Sequence, residues 1–222
     1  MKKITKEYEV YDFEELDKDI QEKLIEEEKE SEKEFYIDNC LEDDMKYYAE
    51  ELLIKYFGDA DFQNVYYDLS YSQGSGAMIR FIINIEDLNK KYNFLSKEEL
   101  RFIQDKGIVN DIEVYHNDNF YCHEYSFDIR YNDNFGYYDY EDIKGEYNIN
   151  EEDYNKLEDK IINFLDTYNK VNTPCSKFIE DIIDMNRELK YKGYELIEEE
   201  INDADAIEFL KEQEYLKNGD VF

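Results

Sequence analysis

The chain has a single proline, Pro174, and no stretch rich in glycine and serine, so no flexible linker divides it into separate modules. Its three cysteines, Cys40, Cys122 and Cys175, are odd in number and widely spaced. They match neither a disulfide framework nor a Cys-x-x-Cys metal clip. No apolar run approaches 18 residues and no signal segment opens the chain, so the expectation is a soluble, cytoplasmic protein. Positive charge is also scarce: 26 Lys and Arg face 58 Asp and Glu, a formal net charge of −32 in 222 residues. That excess disfavours nucleic acid and anionic membrane as partners and favours encounter with a basic surface.

Aromatic residues, by contrast, are abundant. The 23 Tyr and 14 Phe make up 17% of the chain, and 42% of it is hydrophobic. Acidic disordered segments are poor in aromatics, so the composition indicates a folded chain, read as one acidic α+β domain over residues 1–222. Lys, Ile, Asn and Tyr are plentiful and Ala is scarce. That bias is the mark of an AT-rich coding sequence rather than of a halophile.

The periodicity supports an antiparallel sheet of about four to six strands covered by acidic helices, with a helical C-terminal part from about residue 150. Residues 3–11 alternate and predict a strand; Asp12 with Glu15 marks a helix start. Phe13, Leu16, Ile20, Leu24 and Ile25 give that helix one apolar stripe. A second helix is expected from about Asn39 to Phe57, stopped by Gly58. Residues 65–71 and 77–85 predict two strands around Gln73-Gly74-Ser75-Gly76. Ser96 with Glu99 is a capping box for a helix to Lys106, and two further strands are expected at 108–116 and 123–131. The Tyr/Asp/Asn-rich stretch 132–147 reads as a loop or short edge strand. Helices then follow from Asn150, from Thr173-Pro174 and from Asp203.

Few motifs point to chemistry. The Gln73–Gly76 turn lacks the spacing of a phosphate-binding loop and leads into a strand rather than a helix. Its glycines serve a tight turn with positive φ, or let a partner's backbone come close. His116 and His123, the only histidines, flank an expected turn and with Glu124 or Cys122 are the candidates for a metal site. Cys122 and His123 are adjacent, however, and point to opposite faces of a strand, so both cannot ligate in regular geometry. No Ser/His/Asp or His-Glu-x-x-His pattern is present, and carboxylates are too numerous for any pair to mark acid–base catalysis. The expectation is a non-enzymatic protein without a cofactor.

Charge remains the strongest signal. Residues 14–34 hold 11 carboxylates and 4 lysines, and the excess recurs at 42–51, 139–153 and 195–208. A compact chain of this mass exposes about 11,000 Å², which spreads the charge to about one per 340 Å²; duplex DNA carries about one per 110 Å². Imitation of nucleic acid therefore requires the carboxylates to be gathered on one side. The candidate partner-binding residues are Glu14, Glu15, Glu22, Glu26, Glu27 and Glu30 of the first acidic run. Asp43, Asp44, Asp139 and Glu141 extend the set, with Tyr71 and Gln73 of the hairpin beside them.

Several segments resemble a widespread set of uncharacterised proteins encoded by phages and prophages, some loosely labelled antitoxins. Residues 11–16 (YDFEEL) resemble the family's F-x-E-L start, and residues 68–77 (DLSYSQGSGA) are similar to its YSLSYCQGDGA hairpin. Residues 121–126 (YCHEYS) resemble a Y-x-H-x-x-S/T strand, while Arg187-Glu188-Leu189, Asp205-Ala206-Ile207 and Asn218-Gly219-Asp220 resemble its tail. The chain departs at Ser75, where the family has Asp, and at Asp17, where it has Ser. The resemblance implies a phage accessory role and brings no established chemistry. Joined to the charge, it leads to the expectation of an anti-defence inhibitor. Such a protein binds a basic, nucleic-acid-binding host factor such as a restriction enzyme, a CRISPR effector or another defence nuclease, by imitating nucleic acid. An antitoxin-like or regulatory partner of one basic protein is the alternative, and a metal enzyme on His116, His123 and Glu124 is the third.

Overall fold

A computed structural model of the protein describes residues 7–70, 72, 74–117, 122–132, 134–166, 176–199 and 203–222. The chain forms two compact units: residues 1–44 with 194–222, and residues 45–193.

The smaller unit is built from both ends of the sequence. Strand β1 (Tyr11–Asp12) pairs antiparallel with β6 (Glu214–Tyr215). The strand expected over 3–11 is reduced to β1, with residues 1–6 outside the described set. The Asp12–Glu15 capping box forms, but it closes only a 3₁₀ turn, Phe13–Glu15. Leu16 is then extended, and helix α1 (Lys18–Asn39) begins after Asp17. That break turns Phe13 and Leu16 inward, where they meet Leu210 and Tyr215, with Ile20, Leu24, Ile25 and Ile207 packed against them. Leu210 and Ile207 come from α8 (Asp203–Leu210), which starts at Asp203 as expected. Gly219 is required there: a Cβ at its φ of +91° would sit 2.8 Å from Ile20 Cγ2.

The larger unit holds a four-stranded antiparallel sheet in the order β2-β3-β4-β5. Its strands are β2 (Asp61–Asp68), β3 (Gly76–Asn84), β4 (Asp111–His116) and β5 (Phe127–Tyr131). The register aligns Val65 with Ile79, Phe81 with Val114, and Val114 with Ile129, so apolar side chains line one face. Gln63 is an extra residue that bulges the outer strand β2. Arg80 and Glu113 lie on the opposite face, 2.6 Å apart.

Helix α2 (Leu41–Phe57) ends where expected, at Gly58 with φ +62°, and its Phe57 stacks on Phe81 at 5.0 Å. Asn84 ends β3 and caps α3 (Ile85–Tyr92), accepting from the Asp87 N–H at 2.8 Å. The apolar pattern predicts a strand through Ile85 and no helix here; the Asn84 cap instead ends the strand and opens α3. The Ser96 box opens α4 (Lys97–Asp105) and Asn150 caps α6 (Glu151–Leu165), both as expected. The stretch 132–147 forms a 3₁₀ turn, Phe135–Tyr137, and a short helix α5 (Tyr140–Ile143), with one isolated bridge between Lys144 and Tyr147. Buried Phe135, Ile143 and Tyr147 anchor it, so aromatic packing rather than strand pairing decides its shape. Helix α7 (Lys177–Glu199) follows; the expected start at Thr173-Pro174 lies outside the described residues. The architecture is thus α+β, with a large helical region toward the C-terminus. No helix among the described residues is long and apolar enough to cross a membrane.

One ion cluster stands on the core of the larger unit. Asp181, 8% exposed, accepts from Tyr92 Oη at 2.7 Å and lies 2.7 Å from Lys91 Nζ and 2.9 Å from Lys177 Nζ. Beside it Phe94 stacks on Phe164 at 3.8 Å, and Phe164 on Phe178 at 5.8 Å. Burial disfavours the charged carboxylate, but Lys91, Lys177 and Tyr92 outweigh burial and hold Asp181 below the ordinary aspartate range. A lowered folded pKa adds stability above the unfolded value, about 4, that is lost as pH falls through the folded one. Asp181→Asn is therefore expected to lower the melting temperature at neutral pH by roughly 3–8 °C. It should also flatten the acid limb below about pH 4, as measured by circular dichroism.

Candidate functional site

Two places bear on function, one in each unit. In the smaller unit, α1 puts Glu22, Glu26 and Glu30 on a single exposed stripe, because residues four apart share a helix face. Successive carboxylates of the stripe rise about 6 Å along the axis. Three other candidate residues have partners within the unit. Glu14 pairs with Lys211 at 2.7 Å, Glu27 with Lys23 at 3.1 Å, and Glu15 accepts from the Asp12 N–H at 3.1 Å. Asp43 is exposed, while Asp44 is half-buried and accepts from Tyr36 Oη at 2.8 Å. Asp139 and Glu141 belong to the larger unit, where Asp139 caps α5 and Glu141 lies 3.3 Å from Lys144. Tyr71 and Gln73 lie outside the described residues.

The other side of α1 carries a feature that the sequence reading did not single out. Glu28, Ser31, Glu32, Phe35, Tyr36 and Cys40 line a cleft of about 470 Å³ with Asp205 of α8. Burial, and next the charge of Glu32 one turn away, push the Glu28 carboxyl above its ordinary range. The signal was present in the interruption of the apolar stripe by Glu28 and Glu32 beyond Ile25.

In the larger unit the Gly74–Gly76 turn, residues 122–124 and α7 converge. A Cβ on Gly76 would fall 1.9 Å from the Cys122 carbonyl oxygen and 2.8 Å from His123 Cα. Gly76 does not have positive φ, so its role is close approach, and the backbone it admits is the chain's own. The Cys122 N–H donates to the Gly74 carbonyl at 3.1 Å. Within the turn the Ser75 N–H donates to Ser72 O, and Ser75 Oγ accepts from the Ser72 N–H at 2.7 Å. Asn186 of α7, fully buried, closes the assembly: its Oδ1 accepts from the Ile79 N–H at 3.0 Å and its Nδ2 donates to Glu124 O at 3.2 Å. The neighbouring Arg187 donates to Tyr125 Oη at 3.4 Å and lies 3.8 Å from Glu124 Oε1.

The metal candidates fare differently from one another. His123 Nδ1 lies 3.7 Å from Glu124 Oε2, whereas the His116 ring stacks on Tyr66 at 5.0 Å. Among the described residues no group of three or more His, Cys, Asp and Glu side chains is arranged to hold a metal ion. Burial, and then the Asp68 carboxylate, push the Cys122 thiol up to about 12, so it stays protonated and unreactive at neutral pH.

Comparison of the chain with protein-family models, with curated proteins and with solved structures finds no match.

Two outcomes test the loop assembly. Gly76→Ala should destabilise by about 3 kcal/mol or more, because the obstructing atoms are backbone; Gly136→Ala, which meets nothing within 4 Å, should be nearly neutral. Asn186→Leu should cost about 2–4 kcal/mol, since it leaves the Ile79 N–H and the Glu124 carbonyl without their partner. Urea denaturation of each variant measures both.

Proposed function

We propose that the protein works by binding rather than by chemistry, offering carboxylates to the basic, nucleic-acid-binding groove of another protein in place of phosphates. Its resemblance to phage and prophage proteins makes a bacterial defence factor the target. The observation that carries this reading is the partition of charge. Residues 1–44 and 194–222, 73 in all, hold 28 Asp and Glu against 9 Lys, a net of −19. The other 149 residues hold 30 against 17 basic ones, a net of −13. Per residue the smaller unit is about three times as negative.

Surface area sharpens the comparison. The whole chain exposes 14208 Å², more than a compact globule of its mass, so its net charge averages about one per 440 Å². A unit of 73 residues exposes about 4,800 Å² by the same scaling, or about one net charge per 250 Å². On that scaling the whole chain carries about one net charge per 340 Å², so gathering the charge covers about two fifths of the distance to the ~110 Å² of duplex DNA. Among candidate residues, Glu22, Glu26 and Glu30 face solvent together and supply the most regular part of that surface.

Affinity capture from host lysate at two salt concentrations is the direct experiment. A basic nucleic-acid-binding protein should be retained at low salt and released as salt rises. Duplex DNA should compete for it, and replacing Glu22, Glu26 and Glu30 together by Gln should weaken retention about tenfold. Capture that is indifferent both to salt and to DNA would sink the proposal.

A further inference from the structure

Helix α1 is held in the smaller unit by little apolar surface. Of its 22 residues only Tyr36 is buried. The stripe of Ile20, Leu24 and Ile25 that packs against Leu210 of α8 and Tyr215 of β6 is only partly buried. One turn beyond Ile25 that stripe gives way to carboxylates. Glu28 and Glu32, four residues apart and both half-buried, take places on the inner side of α1 that apolar side chains would otherwise fill. With Phe35, Tyr36 and Asp205 of α8 they line the cleft of about 470 Å³. The Glu28 carboxyl acts on the interior itself: after burial, its charge is what pushes the phenol of fully buried Tyr215 up.

The groups about this cleft give the two glutamates no compensating cation. They are Lys29 and Lys33 on α1, Asp203 and Asp205 on α8, Tyr215 on β6, and Tyr36 with Asp44, to which it donates at 2.8 Å. Lys29 is taken by Asp203, 2.8 Å away at the start of α8. Among the described residues no lysine or arginine pairs with Glu28 or Glu32. Like charges at this spacing oppose each other, in a unit that already carries a net of −19.

A proton on Glu28 removes both penalties, the desolvated charge and the repulsion by Glu32. The folded unit therefore holds this proton to a higher pH than the unfolded chain does. The stability it lends is full below the ordinary glutamate value, about 4.3, and is lost as pH rises through the folded one. That sign is the reverse of the one at Asp181, whose contribution is lost in acid.

We propose that the contact between α1 and α8 is an acid-tightened latch, in which proton uptake by the Glu28–Glu32 cleft seats α1 on α8 and proton release at neutral pH loosens it. The inference does not depend on what the acidic surface binds.

Amide hydrogen exchange of the full chain tests it, read by mass spectrometry at about pH 7 and about pH 5 and corrected for intrinsic rates. Peptides from α1 and α8 should gain at least about threefold protection at the lower pH, while those from β2 to β5 gain none. Replacing Glu28 and Glu32 together by Gln should give, at the higher pH, the protection that the native chain reaches only at the lower. Glu30→Gln, which removes one charge from the exposed side of α1, should leave the native pH dependence in place. Protection of α1 and α8 that is unchanged or falls in acid overturns the proposal, as does an equal gain in the sheet. A Glu28 and Glu32 variant that keeps the native dependence overturns it too. So does a Glu30 variant that loses the dependence as fully, because overall charge and not the cleft would then be responsible.

Discussion

Phe57 of α2 lies on Phe81 of β3, and Phe178 of α7 meets the Phe57 ring edge-on at 5.7 Å. This three-ring contact ties two helices to the central strand of the sheet, and Phe164 and Phe94 continue it outward as a stacked column. Aromatic burial of this kind supplies the largest favourable area per residue in a protein interior. A chain with a formal charge of −32 repels itself, and something must outweigh that repulsion before any helix or strand can matter. The aromatic interior does so. The ion cluster at Asp181 and the buried Glu99, 2.8 Å from Lys160, set three lysines against carboxylates of low exposure.

Local signals in the sequence were reliable where a single side chain decides an outcome. Gly58, the Ser96–Glu99 box and Asn150 each mark an element boundary through a bond made within a few residues, and each boundary stands. At Asn84 the local Asn-x-x-Asp cap is present in the sequence, but a run of β-branched residues carries the strand pattern across it. Distant contacts were silent. The pairing of Tyr11 with Tyr215 joins opposite ends of the sequence, so the division into two units has no local trace.

The candidate site shows the same limit from the side of function. Carboxylates were easy to find, yet which of them share a face depends on α1 beginning at Lys18 rather than at Phe13. Gly76 was legible as a necessary glycine but not as the seat of Cys122, because the obstructing carbonyl arrives 46 residues later in the chain. Asn186 sits among apolar neighbours on α7 with no motif to announce it, and only the fold shows that it satisfies both β3 and the loop at Glu124.

The joining of both chain ends in the smaller unit has a consequence during synthesis. The apolar stripe of α1, Ile20, Leu24 and Ile25, is covered by residues of α8, which begins 164 positions after α1 ends. At ~5–20 residues per second the ribosome takes roughly 8–33 s to make that stretch. Through this interval the larger unit has its whole sequence available before the smaller one does. Throughout the wait, the most acidic helix of the chain surrounds its own uncovered stripe with carboxylates. Those carboxylates thus keep a nascent helix from sticking to its neighbours.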